Sequence, residues 1–411
     1  MPEDLALLTA DIAATAALPL AQARLLPRSA YTSEAFFAVE EEQIFRAGWL
    51  CIAHVSELPQ PGDYLTIDII NEPLVITRAK DGAIHVLSRI CAHRAMDILP
   101  GETGAPRKGN AAMLVCPYHA WSYGLDGSLR GCPHMQNAAH FEKSDWPLTV
   151  LRSEIWNGFV FVNFDGTAAP VAEHYATLDA LLAPWQIAEM GVAINMEWEC
   201  PFNWKIMVEN WIESYHHIGA HSATLNPIMP GQNTWIEAEH PHFIHAHLPY
   251  TEALQAQVAA TQAHGEAMPG FVPITGLTAQ QQKEWGLFVG YPCFMFLTMP
   301  DRLLWYRLLP SGAQRCRLQT ITLVSPQTLA SPDFPAMVEA ETPLLRDFHL
   351  EDMEMNTGVQ KGLGSRYAVR GRLSHLEEPV WLLQRYLAAR LQGALPEKAD
   401  RPPYFGPRTQ L

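Results

Sequence analysis

Two short segments, Cys91-Ala-His93-Arg94 and Cys116-Pro-Tyr-His119, constrain this 411-residue chain more than any other feature. Each offers one thiolate and one imidazole, so the fold must bring two loops to a shared centre. Donors of this kind suit a structural zinc ion, or a [2Fe–2S] cluster in which His replaces Cys on one iron. A zinc finger wants a Cys-x-x-Cys pair and a distant His pair, whereas each loop here carries one of each. Each loop can then give its sulfur to one iron and its nitrogen to the other. Neutral imidazoles in place of two anionic thiolates raise the reduction potential above that of a plant-type ferredoxin. The chain is expected to handle electrons.

The surroundings of these loops are β-rich. Tyr64-Leu-Thr-Ile-Asp-Ile-Ile, Pro73-Leu-Val-Ile-Thr and Ile84-His-Val-Leu read as strands, with Asp81-Gly82 as a hairpin turn. Tyr123-Gly-Leu-Asp126-Gly127-Ser and Gly158-Phe-Val-Phe-Val-Asn-Phe continue the rhythm to about Phe164, and Gly101 to Gly109 reads as an exposed loop. After about Asp165 the character changes. Trp204 to Gly219 reads as helix, and Trp305-Tyr-Arg-Leu-Leu-Pro and Arg317-Leu-Gln-Thr-Ile-Thr-Leu-Val as strands. Leu344 to Gly362 is a candidate helix, and the capping box Ser374-His-Leu-Glu377 opens another through Trp381 and Tyr386.

Composition excludes several classes. Hydrophobic residues at 48% and charged residues at 17% describe a folded chain, not a disordered one. A net charge of −15 disfavours nucleic acid and anionic membrane as partners. No stretch of about 18 apolar residues predicts a spanning helix. The start, Met1-Pro-Glu-Asp-Leu, is acidic and makes a poor signal peptide. Cys51, Cys132, Cys200, Cys293 and Cys316 read as reduced thiols, so the cytoplasm is the expected location.

A second concentration of chemistry is Asn210-Trp-Ile-Glu213-Ser-Tyr215-His216-His217-Ile-Gly219-Ala-His221. Two His and one carboxylate, with open positions, commonly hold non-haem Fe(II). Ideal helical spacing would pair His217 with His221. His216 and His221 converge only if the helix loosens or ends, since five residues at roughly 100° each leave them on different sides. Spacing alone leaves that choice open. Further on, alternation puts His245 and His247 of the run Glu239 to His247 on one face of a strand. Without matching ligands elsewhere in the sequence, they read as a polar strand or pocket wall. Phe288, Tyr291, Phe294, Phe296, Trp305 and Tyr306 read as core or as cavity lining.

From about Leu26 to Arg390 the chain resembles the catalytic α subunit of Rieske non-haem iron oxygenases, a family that includes ring-hydroxylating dioxygenases and choline and carnitine monooxygenases. The two Cys/His loops, extended through Ala120-Trp121, match its cluster motif. Glu213-Ser-Tyr215-His216 to His221 follows its iron motif, and Asp352, ahead of Gln360-Lys-Gly-Leu, sits where its third iron ligand falls. Two departures are visible: the gap from His93 to Cys116 is a few residues longer than usual, and Glu213 stands where the dioxygenases typically have Asp. Glu there is similar to the carnitine-type enzymes.

The resemblance implies an α+β chain: a helical segment over 1–45 packing on the catalytic domain, an antiparallel-β Rieske domain over 46–165, and a helix-grip, START-like catalytic domain over 166–411. It implies a Rieske [2Fe–2S] cluster on Cys91, His93, Cys116 and His119, and mononuclear Fe(II) on His216, His221 and Asp352, with Glu351 and Glu354 as competitors for the third place. Arg94, Trp121, Asn210 and Tyr215 are expected to support these ligands, and His217, Phe294, Phe296 and Trp305 to line the substrate pocket. Electrons would come from an NAD(P)H-dependent reductase, directly or through a ferredoxin. The assembly would be a head-to-tail α3 trimer, or α3β3, in which Glu213 links His216 to a cluster histidine, His119, of the next chain. The expected reaction is O2-dependent hydroxylation of a small organic molecule, first an aromatic or cyclic compound, second a quaternary ammonium compound or amine undergoing monooxygenation or N-demethylation. Two rivals of other classes are a Rieske electron carrier without oxygenase activity and a zinc hydrolase built on His217 and His221.

Overall fold

The computed structural model describes residues 4–99, 107–263 and 270–397. Its contacts divide the chain into two compact units, Trp49–Glu173 and Met1–Gly48 with His174–Leu411.

In Trp49–Glu173, seven antiparallel strands run in the order Leu50–His54, Phe159–Asn163, Val150–Trp156, Ile84–Ser88, Glu72–Arg78, Asp63–Ile69, Lys108–Asn110. The expected hairpin is present. Ala79 N–H donates to Ala83 O at 2.8 Å, and Gly82 takes φ +86°, a value that favours glycine. Of the loop read at Gly101 to Gly109, residues 101–106 lie outside the described residues, while Lys108–Asn110 forms an edge strand on Asp63–Ile69. A small sheet of Leu114–Val115, Ser122–Tyr123 and Leu129–Gly131 holds the second Cys/His loop. Val75, Leu87, Leu114, Trp121 and Leu129 pack around Cys91 and Cys116, so the core of this unit is built about the two thiols.

The other unit carries a seven-stranded antiparallel sheet, ordered Gly191–Cys200, Arg315–Val324, Arg302–Gly312, Phe294–Thr298, Glu284–Gly290, Phe243–Pro249, Trp235–Ile236. Register fixes two faces. Ala246, Leu287, Leu297 and Leu304 form one row, and His245, Phe288, Phe296 and Trp305 form the next, which alternation turns to the opposite side. A 30-residue helix, Phe334–Leu363, lies against Gly191–Cys200 and against a short helix, Trp204–Trp211. The Ser374/Glu377 capping box is present and leads into Glu378–Arg390, which packs on Leu5–Ala16. Among the described residues no helix is long and apolar enough to cross a membrane.

Two readings of the sequence are corrected. The long helix begins ten residues ahead of Leu344, at Phe334, because Pro343 sits inside it and does not end it. Helix also does not persist from Trp204 to Gly219. It stops at Trp211 and a separate 3-10 turn forms at Tyr215–Ile218, where the Glu213 carboxylate accepts the His216 backbone N–H at 3.1 Å. A side chain competing for backbone donors starts the new turn in a new direction.

The short helix stands on a buried polar network. Lys205 Nζ meets Glu40 Oε1 at 2.6 Å with both side chains almost fully buried, and the Tyr31 hydroxyl donates to Glu209 Oε1 at 2.7 Å. Burial pushes the Glu209 carboxyl up to about 7, against the lowering pull of Tyr31 and Lys205. A carboxyl raised in this way stabilises the fold while protonated. That contribution is complete below the unfolded value of 4.5 and is lost as pH climbs through about 7. The swing amounts to about 3 kcal/mol. Glu209→Gln is therefore expected to flatten the decline in melting temperature between pH 5 and 8. A decline as steep as that of the natural protein would assign the effect elsewhere.

Candidate metal centres

The two Cys/His loops are copies of one local structure. Cys91 N–H donates to Met96 O and Cys116 N–H to Trp121 O, both at 2.8 Å. Ala95 N–H donates to Cys91 O and Ala120 N–H to Cys116 O, both at 3.0 Å. Ala95 and Ala120 adopt φ +54° and +57°, the left-handed conformation that turns each loop back on itself. Both thiols are buried, and the His93 and His119 rings meet with centroids 4.7 Å apart. His119 is exposed and His93 half-buried, so the imidazole side of the centre faces the surface of this unit. Trp121 stacks on His93 at 4.8 Å, and the Arg94 guanidinium lies over the Tyr118 ring beside His119. Two sulfurs inward and two imidazoles outward fit a Rieske cluster.

Tyr123 belongs to neither Cys/His motif in the sequence. Its hydroxyl lies 3.1 Å from Cys91 Sγ and accepts the Ala92 N–H. Its place in a strand after the second loop gave no signal, because register brings it beneath the first. Burial, with Cys91 beside it, raises the phenol, so it remains a donor at neutral pH. A hydrogen bond to a cluster sulfur stabilises the more negative, reduced state. Tyr123→Phe is expected to lower the cluster's potential by roughly 50 mV, about 1 kcal/mol for one electron. An unchanged midpoint in a spectroelectrochemical titration would show that the bond contributes nothing.

His216, His221 and Asp352 form a second constellation, with one donor atom from each all within 4.8 Å of one another. The break after Trp211 brings the two imidazoles together, with ring centroids 5.1 Å apart. Asp352 Oδ1 lies 3.0 Å from His221 Nε2 and 3.6 Å from His216 Nε2. Each imidazole is held from behind through its other nitrogen. Glu213 Oε1 is 2.9 Å from His216 Nδ1, and Glu351 Oε2 is bonded to His221 Nδ1. Carboxylates on the outer nitrogens fix tautomer and ring orientation, the arrangement expected behind metal-bound histidine. Burial opposes charge at all three groups, yet the carboxylates raise His216 and His221, and the imidazoles hold Asp352 below its ordinary range.

Of the competing acids, Glu351 thus lies behind His221, anchored further by Thr224 Oγ1 at 2.7 Å, and Glu354 is exposed. Asn210 Nδ2 donates to Asp352 Oδ1 at 3.2 Å, as its expected supporting place requires. Gln360 accepts the Asn203 N–H at 2.8 Å and so ties the long helix to the start of the short one. Pro230-Gly231 closes the His loop from behind. A Cβ on Gly231 would meet Ser214 O at 2.1 Å, and His217 Nδ1–H donates to the neighbouring Met229 O at 2.8 Å.

A cavity beside the three donors is walled by His217, Trp211, Leu248, Trp285, Tyr306 and Phe348, with Leu287 and Leu297 from the sheet. His217 takes its expected place there. Phe294, Phe296 and Trp305 do not: the pleat turns them to the other face of the sheet, where Phe296 stacks on Phe288 at 4.6 Å. Their strand neighbours one position along face the site instead. Tyr215, expected to support the ligands, is 46% exposed and does not line this cavity. Two buried polar atoms of residues that line the cavity, Trp211 Nε1 and Ser214 Oγ, have no partner among the described residues.

A family model described as the ring-hydroxylating alpha subunit catalytic domain matches residues 187–393, and one described as the Rieske [2Fe-2S] domain matches residues 48–142. The chain is 38% identical over 200 residues to a carnitine monooxygenase oxygenase subunit of Acinetobacter pittii, covering 47% of this chain and 52% of that protein. It is 32% identical over 298 residues to a glycine betaine monooxygenase oxygenase subunit of Chromohalobacter salexigens, covering 67% and 59%. These alignments thus span somewhat more than half the length of the curated relatives. The crystal structure of a quaternary ammonium Rieske monooxygenase with its substrate L-carnitine superposes with a TM-score of 0.73 at 26% identity, covering 93% of this chain and 98% of that one.

Proposed function

Since the chain belongs to the ring-hydroxylating oxygenase α-subunit family, whose members carry a Rieske cluster and a mononuclear iron, we propose that it is a terminal oxygenase oxidising a quaternary ammonium substrate. The carrying observation is the convergence of His216, His221 and Asp352 beside an aromatic cavity. In this reading Cys91, His93, Cys116 and His119 would hold the cluster, and His216, His221 and Asp352 would hold the iron beside the cavity. Bound there, the two centres supply single electrons and O2 activation.

The residues of the chain supply the rest. Glu213 and Glu351 keep Nε2 of each histidine turned inward. Trp211, Trp285, Tyr306 and Phe348 exclude water and offer ring faces to a cation, while Glu213 and Asp352 line the same space and, among the described residues, no Lys or Arg does. A cationic ammonium head fits aromatic walls beside two carboxylates better than a neutral ring does. Glu213 in place of Asp favours the same substrate class.

The sequence holds no Gly-rich dinucleotide fingerprint, so a separate NAD(P)H-dependent reductase, directly or through a ferredoxin, is the electron source. A trimer would let Glu213 of one chain join His216 to His119 of the next copy.

The test is O2 consumption and peroxide release across betaines, carnitine-like compounds and aromatic acids, with a surrogate reductase. Tight coupling of O2 uptake to oxidation of a quaternary ammonium compound is expected. Coupling only with an aromatic acid would overturn the substrate class, and no coupled uptake with any compound would favour a plain electron carrier.

A further inference from the structure

On the face of the sheet turned away from the iron cavity, the cross-strand row at the sheet edge gathers a second set of ligand-type side chains. Strand alternation sends Leu248 toward the iron cavity and His245 and His247 to the other side. Glu237 N–H donates to His245 O at 2.9 Å, so the Glu237 side chain projects on the same face as both histidines. One donor atom from each of Glu237, His245 and His247 lies within 4.8 Å of the others.

We propose that Glu237, His245 and His247 form a divalent transition-metal site of the zinc class, separate from the iron centre.

Four features carry it. The His247 Nε2 to Glu237 Oε1 separation is 3.4 Å, close to the spacing of two ligands at about 2.0–2.1 Å from one tetrahedral ion. The other nitrogen of the same ring, Nδ1, lies 2.7 Å from Glu284 Oε1. An outer carboxylate on a histidine whose inner nitrogen faces further donors is the arrangement that orients metal-bound imidazole. Glu284 is itself fixed by Gln280 Nε2 at 3.2 Å, and Trp235 stacks on His247 at 3.7 Å. Finally, His245 and His247 are buried while the Glu237 side chain is 49% exposed, which leaves an entry path on one side. A small cavity against both imidazoles, about 10 Å³, has room for one water-sized fourth ligand. In the sequence the two histidines looked unmatched, because their carboxylate partners sit on neighbouring strands.

An ion there would pin the short edge strand Trp235–Ile236 to Phe243–Pro249. The experiment titrates Zn(II) into the iron-loaded protein and measures zinc and iron in the same samples. One zinc per chain beyond the three irons is expected, with no iron released. Glu237→Gln, at a half-exposed position, and Glu284→Gln, behind His247, should each weaken zinc binding about tenfold or more. His245→Asn should abolish it while the visible absorbance of the cluster is unchanged. Absence of the extra zinc in the natural protein, its uptake only in exchange for iron, or equal affinity in Glu237→Gln would each overturn the proposal.

Discussion

Glu213→Ala is expected to retain its full complement of iron while product formation falls about a hundredfold or more. The reasoning starts from position. The carboxylate lies 2.9 Å from His216 Nδ1, and at 10% exposure its side chain retains an edge at the surface of the cavity wall. It touches an iron-site imidazole from behind, as the more exposed Glu351 does at His221, and its place beside His216 in the iron motif makes it the proposed link to a histidine of another copy. Removing it leaves all three donor side chains on the chain, so iron is retained under saturating reconstitution even though His216 loses its orienting partner. On the proposed bridging role, what is lost is the connection through which reducing equivalents arrive. Dithionite should bleach the cluster's visible absorbance at the usual rate, and O2 with substrate should then fail to restore it. Restored colour and wild-type turnover would end the bridging role. Loss of iron would reduce Glu213 to an orienting partner of His216, and Glu213→Gln would then recover both metal and activity.

Asp352→Ala is expected to remove the mononuclear iron altogether, with activity lost and the cluster intact. Asp352 Oδ1 is the point on which His216, His221 and Asn210 converge. Without it, two neutral imidazoles remain in a buried cavity with no anionic ligand to match the charge of a divalent ion. Glu351→Gln should have a smaller effect, weakening iron binding about 10- to 100-fold through His221. Glu354→Ala should have none, since that side chain is exposed. Iron analysis of the three variants decides the order. If Glu351→Gln rather than Asp352→Ala emptied the site, the assignment of the third ligand would be wrong.

These outcomes bear on what could be read from residues alone. The cluster loops were legible because both are local: ligands and the turn residues Ala95 and Ala120 sit within a few positions of each other. The pair His216 and His221 was legible only through resemblance, since helical periodicity favours His217 with His221. The structure supplies the physical reason, a helix that ends at Trp211 and a new turn begun by the Glu213 side chain. Cross-strand neighbours were not legible. Tyr123 under Cys91, and Glu237 and Glu284 around His247, meet their partners through register, which a single sequence does not specify. The pocket wall failed for a related reason. Phe294, Phe296 and Trp305 have the aromatic character of a pocket wall, but a one-residue step in a pleated strand turns each of them away from the iron site.

The central claim is that one polypeptide holds a two-iron relay and a separate single-iron oxygen site. The most direct measurement is an iron count on anaerobically reconstituted protein, with electron paramagnetic resonance of the dithionite-reduced sample. The account predicts three irons per chain with a Rieske-type signal, falling to two in Asp352→Ala with that signal unchanged. Two irons per chain in the natural protein, or none with a colourless sample that binds zinc at His216 and His221, would contradict it.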